Sequence, residues 1–366
     1  MDPQPSFCPN LTCPSRGKIG AGNLRVQDRK RNRWKCRVCQ TTFSGRRGTP
    51  FAGLKTDPAT VTQVVTLLAF GCPLQAIVHA FGLDERTVAA WQEKAGRHCQ
   101  QVHTTLVQTP RQVTQGQVDE IRVRCQKRQV LWMALAICAV TRLWIGGEIS
   151  AHRDKHWARR IAQKVGDHCL LGPLLVVTDG WIAYKAAFLQ AFRTRVSTGK
   201  RGRPPLVAWP QLVLAQTLKW QEAGRVLGIK VCHLAGRRDQ IARLLPSGRV
   251  LSTAYIQRLN ATFRQRLGTL CRRTRCLVRS EATLSLGMYL VGTLYNFCTP
   301  HRSVSLAGRP RTPAMAAGLA CEMWSVGELL CYQVAPPAYV APKRRGRPPG
   351  KAARQPHEGA EQYVTV

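Results

Sequence analysis

Two sets of residues in this chain have types and spacings that do chemistry. Cys8-x4-Cys13 and, further on, Cys36-x2-Cys39 are close pairs of thiols separated by a basic, glycine-containing stretch. Two such pairs can converge as four thiolates on tetrahedral Zn2+. The segment around them has few apolar residues, so metal is the expected source of its stability; the alternative is four unrelated thiols. The second set is acidic. Asp119, with Glu120 beside it, lies in GQVDEIRVR, and Asp179 closes the apolar run LLVVTD. Carboxylates beside an apolar sheet are costly unless a cation balances them. Two of them from different strands are the minimum for holding a divalent metal against a phosphate. A solvated strand end is the competing reading for Asp119.

These side chains need elements to position them. Apolar alternation and a near-continuous run, VLWMALAICAV, predict three consecutive strands at about 118–125, 129–139 and 142–150. A helix is expected at about 154–167. A short buried strand follows from Leu174, with Asp179 at its tip and Gly180 turning the chain into a helix. The carboxyl tip of a parallel strand is where open α/β sheets place ligands. Over 253–275 an amphipathic helix carries the stripe Ile256, Leu259, Phe263, Leu267 and Leu270, with Gln257, Asn260 and Arg264 on its flank. Arg258, Arg266, Arg272, Arg273 and Arg275 make it basic, and another helix is expected at 281–298.

The balance of 55 Lys and Arg against 19 Asp and Glu gives a net charge of +36, spread along the chain. A chain so basic is expected to bind a polyanion, and double-stranded DNA is the expected partner. No signal-peptide-like segment or 18-residue apolar window occurs. Fifteen cysteines, an odd and scattered set, argue for a reducing cytoplasm and against a disulfide framework.

Three further segments suit DNA. Residues 58–97 read as three helices, the last capped by Asp84, in the pattern of a helix-turn-helix that would aim Glu85, Arg86, Thr87 and Gln92 at the major groove. A small helical linker is the alternative. The stretch 193–210 reads as a loop and contains Arg201-Gly202-Arg203-Pro204; the tail repeats it at Arg345-Gly346-Arg347-Pro348. That core is AT-hook-like and suits an A·T-rich minor groove, or else generic phosphate contact.

In this order the zinc-ribbon cysteines, the helix-turn-helix, VDE, TDGWxAY and YIxRLNATFRxRL resemble the DDE transposases of bacterial insertion sequences, over about residues 5–330. The resemblance implies an α/β fold: an RNase H-like mixed sheet of about five strands with flanking helices. It implies a zinc ribbon over 1–52, a DNA-binding domain over 53–110, a catalytic core over 111–330 and a disordered basic tail over 331–366. Asp119 and Asp179 would hold Mg2+ or Mn2+ together with a helix glutamate; Asn260 matches the family's motif, but Gln257 stands where that glutamate belongs. Glu120, Glu222 and Glu281 lie outside the motif position. The implied function is transposition, with cleavage and strand transfer at element terminal inverted repeats and target DNA, by a homo-oligomer assembled on DNA in the nucleoid. The alternatives are an inactive transposase-derived DNA-binding protein and a nuclease or resolvase. DNA contacts are also expected from Arg258 and Arg264.

Overall fold

The computed structural model describes residues 7–337, except 127–128, 198, 200, 224, 246–249, 272–273 and 275. Arg345, Arg347, Arg272, Arg273 and Arg275 therefore lie outside the described residues.

The first element group is a three-stranded antiparallel sheet, β1 (Leu24–Asp28), β2 (Arg33–Cys36) and β3 (Thr42–Ser44). Its interior is little more than Phe43 and the thiols of Cys8, Cys13 and Cys36. Three helices follow. α1 (Pro58–Ala69) begins with proline, whose missing N–H costs nothing in a first turn. α2 (Leu74–Phe81) stops at Gly82, left-handed at φ 61°. α3 (Glu85–Leu106) starts at Asp84, whose carboxylate accepts the Arg86 N–H at 2.8 Å. α3 continues well past Gly96, where the periodicity alone suggests an end. A Cβ at Gly96 would lie 2.8 Å from the Leu286 carbonyl oxygen, so the glycine permits a close helix crossing rather than a stop.

The central sheet has six strands, not about five. In chain order come β4 (Gln115–Arg124), β5 (Val130–Cys138), β6 (Trp144–Ser150), α4 (Lys155–His168), β7 (Leu174–Thr178) and α5 (Ala183–Ala191). Then come β8 (Arg193–Arg195), β9 (Leu206–Ala208), β10 (Leu212–Glu222), β11 (Arg225–Ala235) and α6 (Asp239–Leu244). The chain closes with α7 (Ala254–Arg266), α8 (Glu281–Cys298), α9 (Pro313–Ala316) and α10 (Val326–Cys331). The strand order is β11-β10-β7-β4-β5-β6. β4–β5–β6 is an antiparallel meander, β7 lies parallel to both β4 and β10, and β11 returns antiparallel on β10.

Alternation along β4 sorts its side chains to two cores. Ile121 and Val123 face α1–α3, α7 and α8, sharing one core with Val61, Trp91, Phe263 and Leu290. Val118 faces α4 and α5, with Trp157, Ile161, Tyr184 and Phe188. Asn296 fastens α8 to β6: the Trp144 N–H donates to its Oδ1 at 2.8 Å, and its Nδ2 donates to the Trp144 carbonyl at 2.9 Å.

Several expectations need correction. The 193–210 segment is not only loop: β8 and β9 pair antiparallel at its two ends, leaving Arg201 and Arg203 exposed between them. The helix expected to reach 275 ends at Arg266, which is buried and donates to Thr299 Oγ1 rather than facing outward. Residues 332–337 do not trail away: Tyr332 stacks on Trp324, and Gln333 donates to the carbonyls of Gly45 and Arg47 in the N-terminal module.

Candidate metal and active centres

The N-terminal module brings its four cysteines together. Cys8 and Cys13 sit in the loop before β1, Cys36 ends β2, and Cys39 lies in the turn to β3. The Sγ atoms of Cys8 and Cys39 are 3.7 Å apart and those of Cys13 and Cys36 3.9 Å, with all four within 4.8 Å of one another. Tetrahedral zinc with bonds of ~2.3 Å sets sulfur–sulfur edges of about 3.8 Å, so the set fits that metal. Asn23 Nδ2 donates to Cys36 Sγ at 3.2 Å and the Ser15 N–H to Cys13 Sγ at 3.4 Å, the outer donors that stabilise thiolates. Burial pushes the Cys8 thiol up. At Cys39 burial is outweighed by hydrogen bonds from Asn10 and Thr41, which bring it down to about 6.

The acidic centre follows from where β7 stops. Pairing of β4 with β7 ends at Val118–Thr178, and pairing of β10 with β7 ends at Gln216–Thr178. Both neighbours run on, so a crevice opens beyond Thr178 between β4 and β10. Asp179 is the first residue into it, held by the Trp181 N–H, which donates to its Oδ1 at 3.2 Å. Asp119 and Glu120 are the first residues of β4 past that pairing. They leave the strand on opposite faces, yet with β5 on one side and no strand on the β7 side both reach Asp179: carboxylate oxygens of all three lie within 4.8 Å of one another.

Each acid is anchored differently. Asp119 accepts the Glu120 N–H on Oδ1 at 2.8 Å and Asn260 Nδ2 on Oδ2 at 2.9 Å. The register of α7 along β4 is fixed by Gln117, which accepts the Ile256 N–H at 3.0 Å and donates to the Ser252 carbonyl at 2.8 Å. Glu120 points the other way, to Arg153, whose Nη2 lies 3.2 Å from both carboxylate oxygens. That guanidinium sits over the rings of Trp181 and Trp132, at 4.5 and 5.2 Å. Burial first, and then the Asp179 charge, raise Glu120 to about 7, with Arg153 opposing. Burial and the nearby Glu120 also push the Tyr184 hydroxyl well up.

Three carboxylates form an all-oxygen donor set, which suits hard divalent cations such as Mg2+ and Mn2+. One further observation fits. Asn260 is 2 % exposed, and its Oδ1, on the amide that binds Asp119, has no hydrogen-bond partner among the described residues. Gln257, one turn earlier on α7, donates from Nε2 to Thr253 Oγ1 at 3.1 Å, and Thr253 in turn meets Thr217 of β10. Glu222 and Glu281 are exposed at the end of β10 and the start of α8, and among the described residues neither joins the cluster. Of the residues the sequence singles out, the structure brings Asp119, Asp179 and Asn260 together. The sequence pattern assigns Arg153 no role, although the arginine of AHRDK is a cation in the loop that follows the third strand.

Of the residues expected to read the major groove, only Arg86 stands fully open. Glu85 is exposed but accepts from Gln75 at 3.0 Å and lies 3.8 Å from Arg279, while Thr87 and Gln92 are half-buried. Arg258 is exposed and Arg264 half-buried.

Fold and site define a mixed α/β protein with flanking helices, an acidic cluster at the end of a central parallel strand, and a separate four-thiol module. No described helix is long and apolar enough to cross a membrane. No protein family and no curated protein matches the sequence. Among solved structures, a piggyBac transposase synaptic complex with hairpin DNA is similar over 77% of this chain and 71% of that one, at 9% identity and a TM-score of 0.34. That likeness is too slight to carry an argument about this chain.

Proposed function

We propose that the protein is a metal-dependent DNA strand transferase of the transposase type, on an RNase H-like core. The observation that carries this reading is the convergence of Asp119, Glu120 and Asp179 at the crevice beyond β7. Divalent cations bound there would activate an attacking hydroxyl and stabilise a leaving oxygen of the phosphodiester. The chain's own part is to hold the oxygens: Asn260 orients Asp119, the Trp181 N–H orients Asp179, and Arg153 faces Glu120. Zinc in the four-thiol module would make that module a ribbon, and α2–α3 would act as a helix-turn-helix with Arg86 foremost. The exposed Arg201 and Arg203, together with a net charge of +36, suit the phosphates of duplex DNA. Element ends and target DNA are the proposed partners, bound by an oligomer in the nucleoid.

A second reading, a DNA-binding protein without catalysis, is favoured by one feature: Gln257 brings no charge to α7. Incubation with DNA carrying the element ends, in Mg2+ or Mn2+, separates the two. Nicked and joined products are expected; cleavage without joining would indicate a nuclease. Binding without cleavage, in either metal, would establish the second reading.

A further inference from the structure

We propose that Glu120 is the third metal-ligating carboxylate of this centre, supplying the charge that Gln257 lacks, and that Arg153 is the cation against which it is held until metal replaces it. The inference rests on the metal-dependent reading above and assigns a residue that the resemblance places elsewhere.

Charge comes first. Two divalent cations bring four positive charges, and Asp119 and Asp179 return two. A glutamine can lend an oxygen but no charge, and Mg2+ strongly favours carboxylates. The Glu120 side chain is only 5% exposed and reaches the same crevice as the two aspartates. Gln257 is not among the acids of that cluster, and its Nε2 donates instead to Thr253, which meets Thr217 of β10.

The Asn260 Oδ1, without a partner among the described residues, is a second observation beside the carboxylates. Buried carbonyl oxygens are rarely left without a partner. This one sits on the amide that already binds Asp119, where a cation held by the three acids would give it a ligand's role.

Arg153 completes the argument. A buried carboxylate needs a compensating cation, and here a single guanidinium nitrogen lies equidistant from both Glu120 oxygens. The Trp132 and Trp181 faces hold that guanidinium by a second attraction, which persists when Glu120 turns to a metal. Arginine and metal therefore compete for the same carboxylate.

The test is direct Mn2+ binding to the zinc-loaded full chain, followed by the loss of free Mn2+ from its electron paramagnetic resonance signal. Thermal unfolding confirms that each variant is folded, and Glu120→Gln keeps an oxygen for Arg153. Glu120→Gln is expected to weaken binding roughly tenfold or more, the scale of losing a group that tunes a metal site. Gln257→Ala is expected to leave it within about twofold. Arg153→Gln, by removing the competitor, is expected to tighten it. Glu120→Gln binding like the natural protein, or Gln257→Ala losing as much, would overturn the assignment. Weaker binding in Arg153→Gln would overturn the competition. Asp119→Asn is the control: if it weakens binding while Glu120→Gln does not, only this inference fails. If the natural chain binds no Mn2+ beyond zinc exchange, the metal-dependent reading fails with it.

Discussion

Asn260 Nδ2 donates to Asp119 Oδ2 at 2.9 Å across 141 residues of sequence, tying α7 to the acidic tip of the sheet. Together with the Glu120 N–H on Oδ1, this bond holds the aspartate in one orientation. It also makes the helix a part of the centre even though its glutamine carries no charge.

Asn260→Ala is expected to leave the fold intact but release Asp119. Cleavage of element-end DNA should fall by roughly 10²-fold, the cost of a misplaced catalytic group. Circular dichroism and a cleavage time course check this, and an unchanged rate would show that Asp119 needs no orienter.

Gln257→Glu is the informative gain-of-charge variant. If two aspartates were all the protein had, restoring a helix carboxylate would raise cleavage by roughly 10²-fold or more. With Glu120 already in the crevice the expected gain is below about tenfold. Comparing cleavage rates of the two proteins in Mg2+ decides between these outcomes.

The N-terminal module should depend wholly on its metal. Its interior is one phenylalanine and a set of thiols, too little to fold on. Metal analysis is expected to give about one zinc per chain. Cys36→Ser should lose the zinc and open residues 7–50 to proteolysis, while the β4–β7 sheet stays protected.

Acid should destabilise the fold through its buried histidines. Burial, and then the Lys164 charge, lower His103 to about 3, and burial with the Arg111 charge lowers His168 to about 4. Both are neutral when folded and take a proton at ordinary pKa when unfolded. Their stability is thus fully present above about pH 6.5 and is lost as pH falls from there toward the folded values, by about 1.4 kcal/mol per unit for each. Glu120, raised to about 7, works in the opposite sense over part of that range. A difference measurement isolates one group: between pH 7.5 and 5.5, His103→Gln should lose about 1.4 kcal/mol less than the natural protein in urea unfolding. Equal losses would show that His103 is not neutral in the fold.

Much of this was legible in the chain. The β4–β6 meander, the helix stripe Ile256–Leu259–Phe263 and the paired cysteines all follow from local periodicity and spacing, which act over a few residues. Asp119 and Asp179 could be picked out for the same reason, each sitting beside an apolar run, whereas Asn260 stood out through the resemblance of its helix motif. The hairpin of β10 and β11 was not seen, because its outer half alternates apolar residues onto an exposed face, with Trp220 and Ile229 open to solvent. Arg266 reads in the sequence as one more surface cation, yet it is buried, with its guanidinium over the Phe70 ring after α1 and donating to Thr299 after α8.

The sequence by itself determined which residues could form strands, which thiols could share a metal, and that the flank of the 253–275 helix carries glutamine and asparagine but no acid. Tertiary structure decided that Glu120 lies beside Asp119 and Asp179. In a paired strand, neighbours such as Asp119 and Glu120 point to opposite faces and cannot share a site. Here β7 ends at Thr178 while β4 runs on, so one edge of β4 is open at those two residues. Both side chains can then lean over the edge toward Asp179, one steadied by α7 through Asn260 and the other by the loop before α4 through Arg153. Strand lengths relative to a neighbour are set by packing of the whole sheet, and no local pattern around VDE contains them.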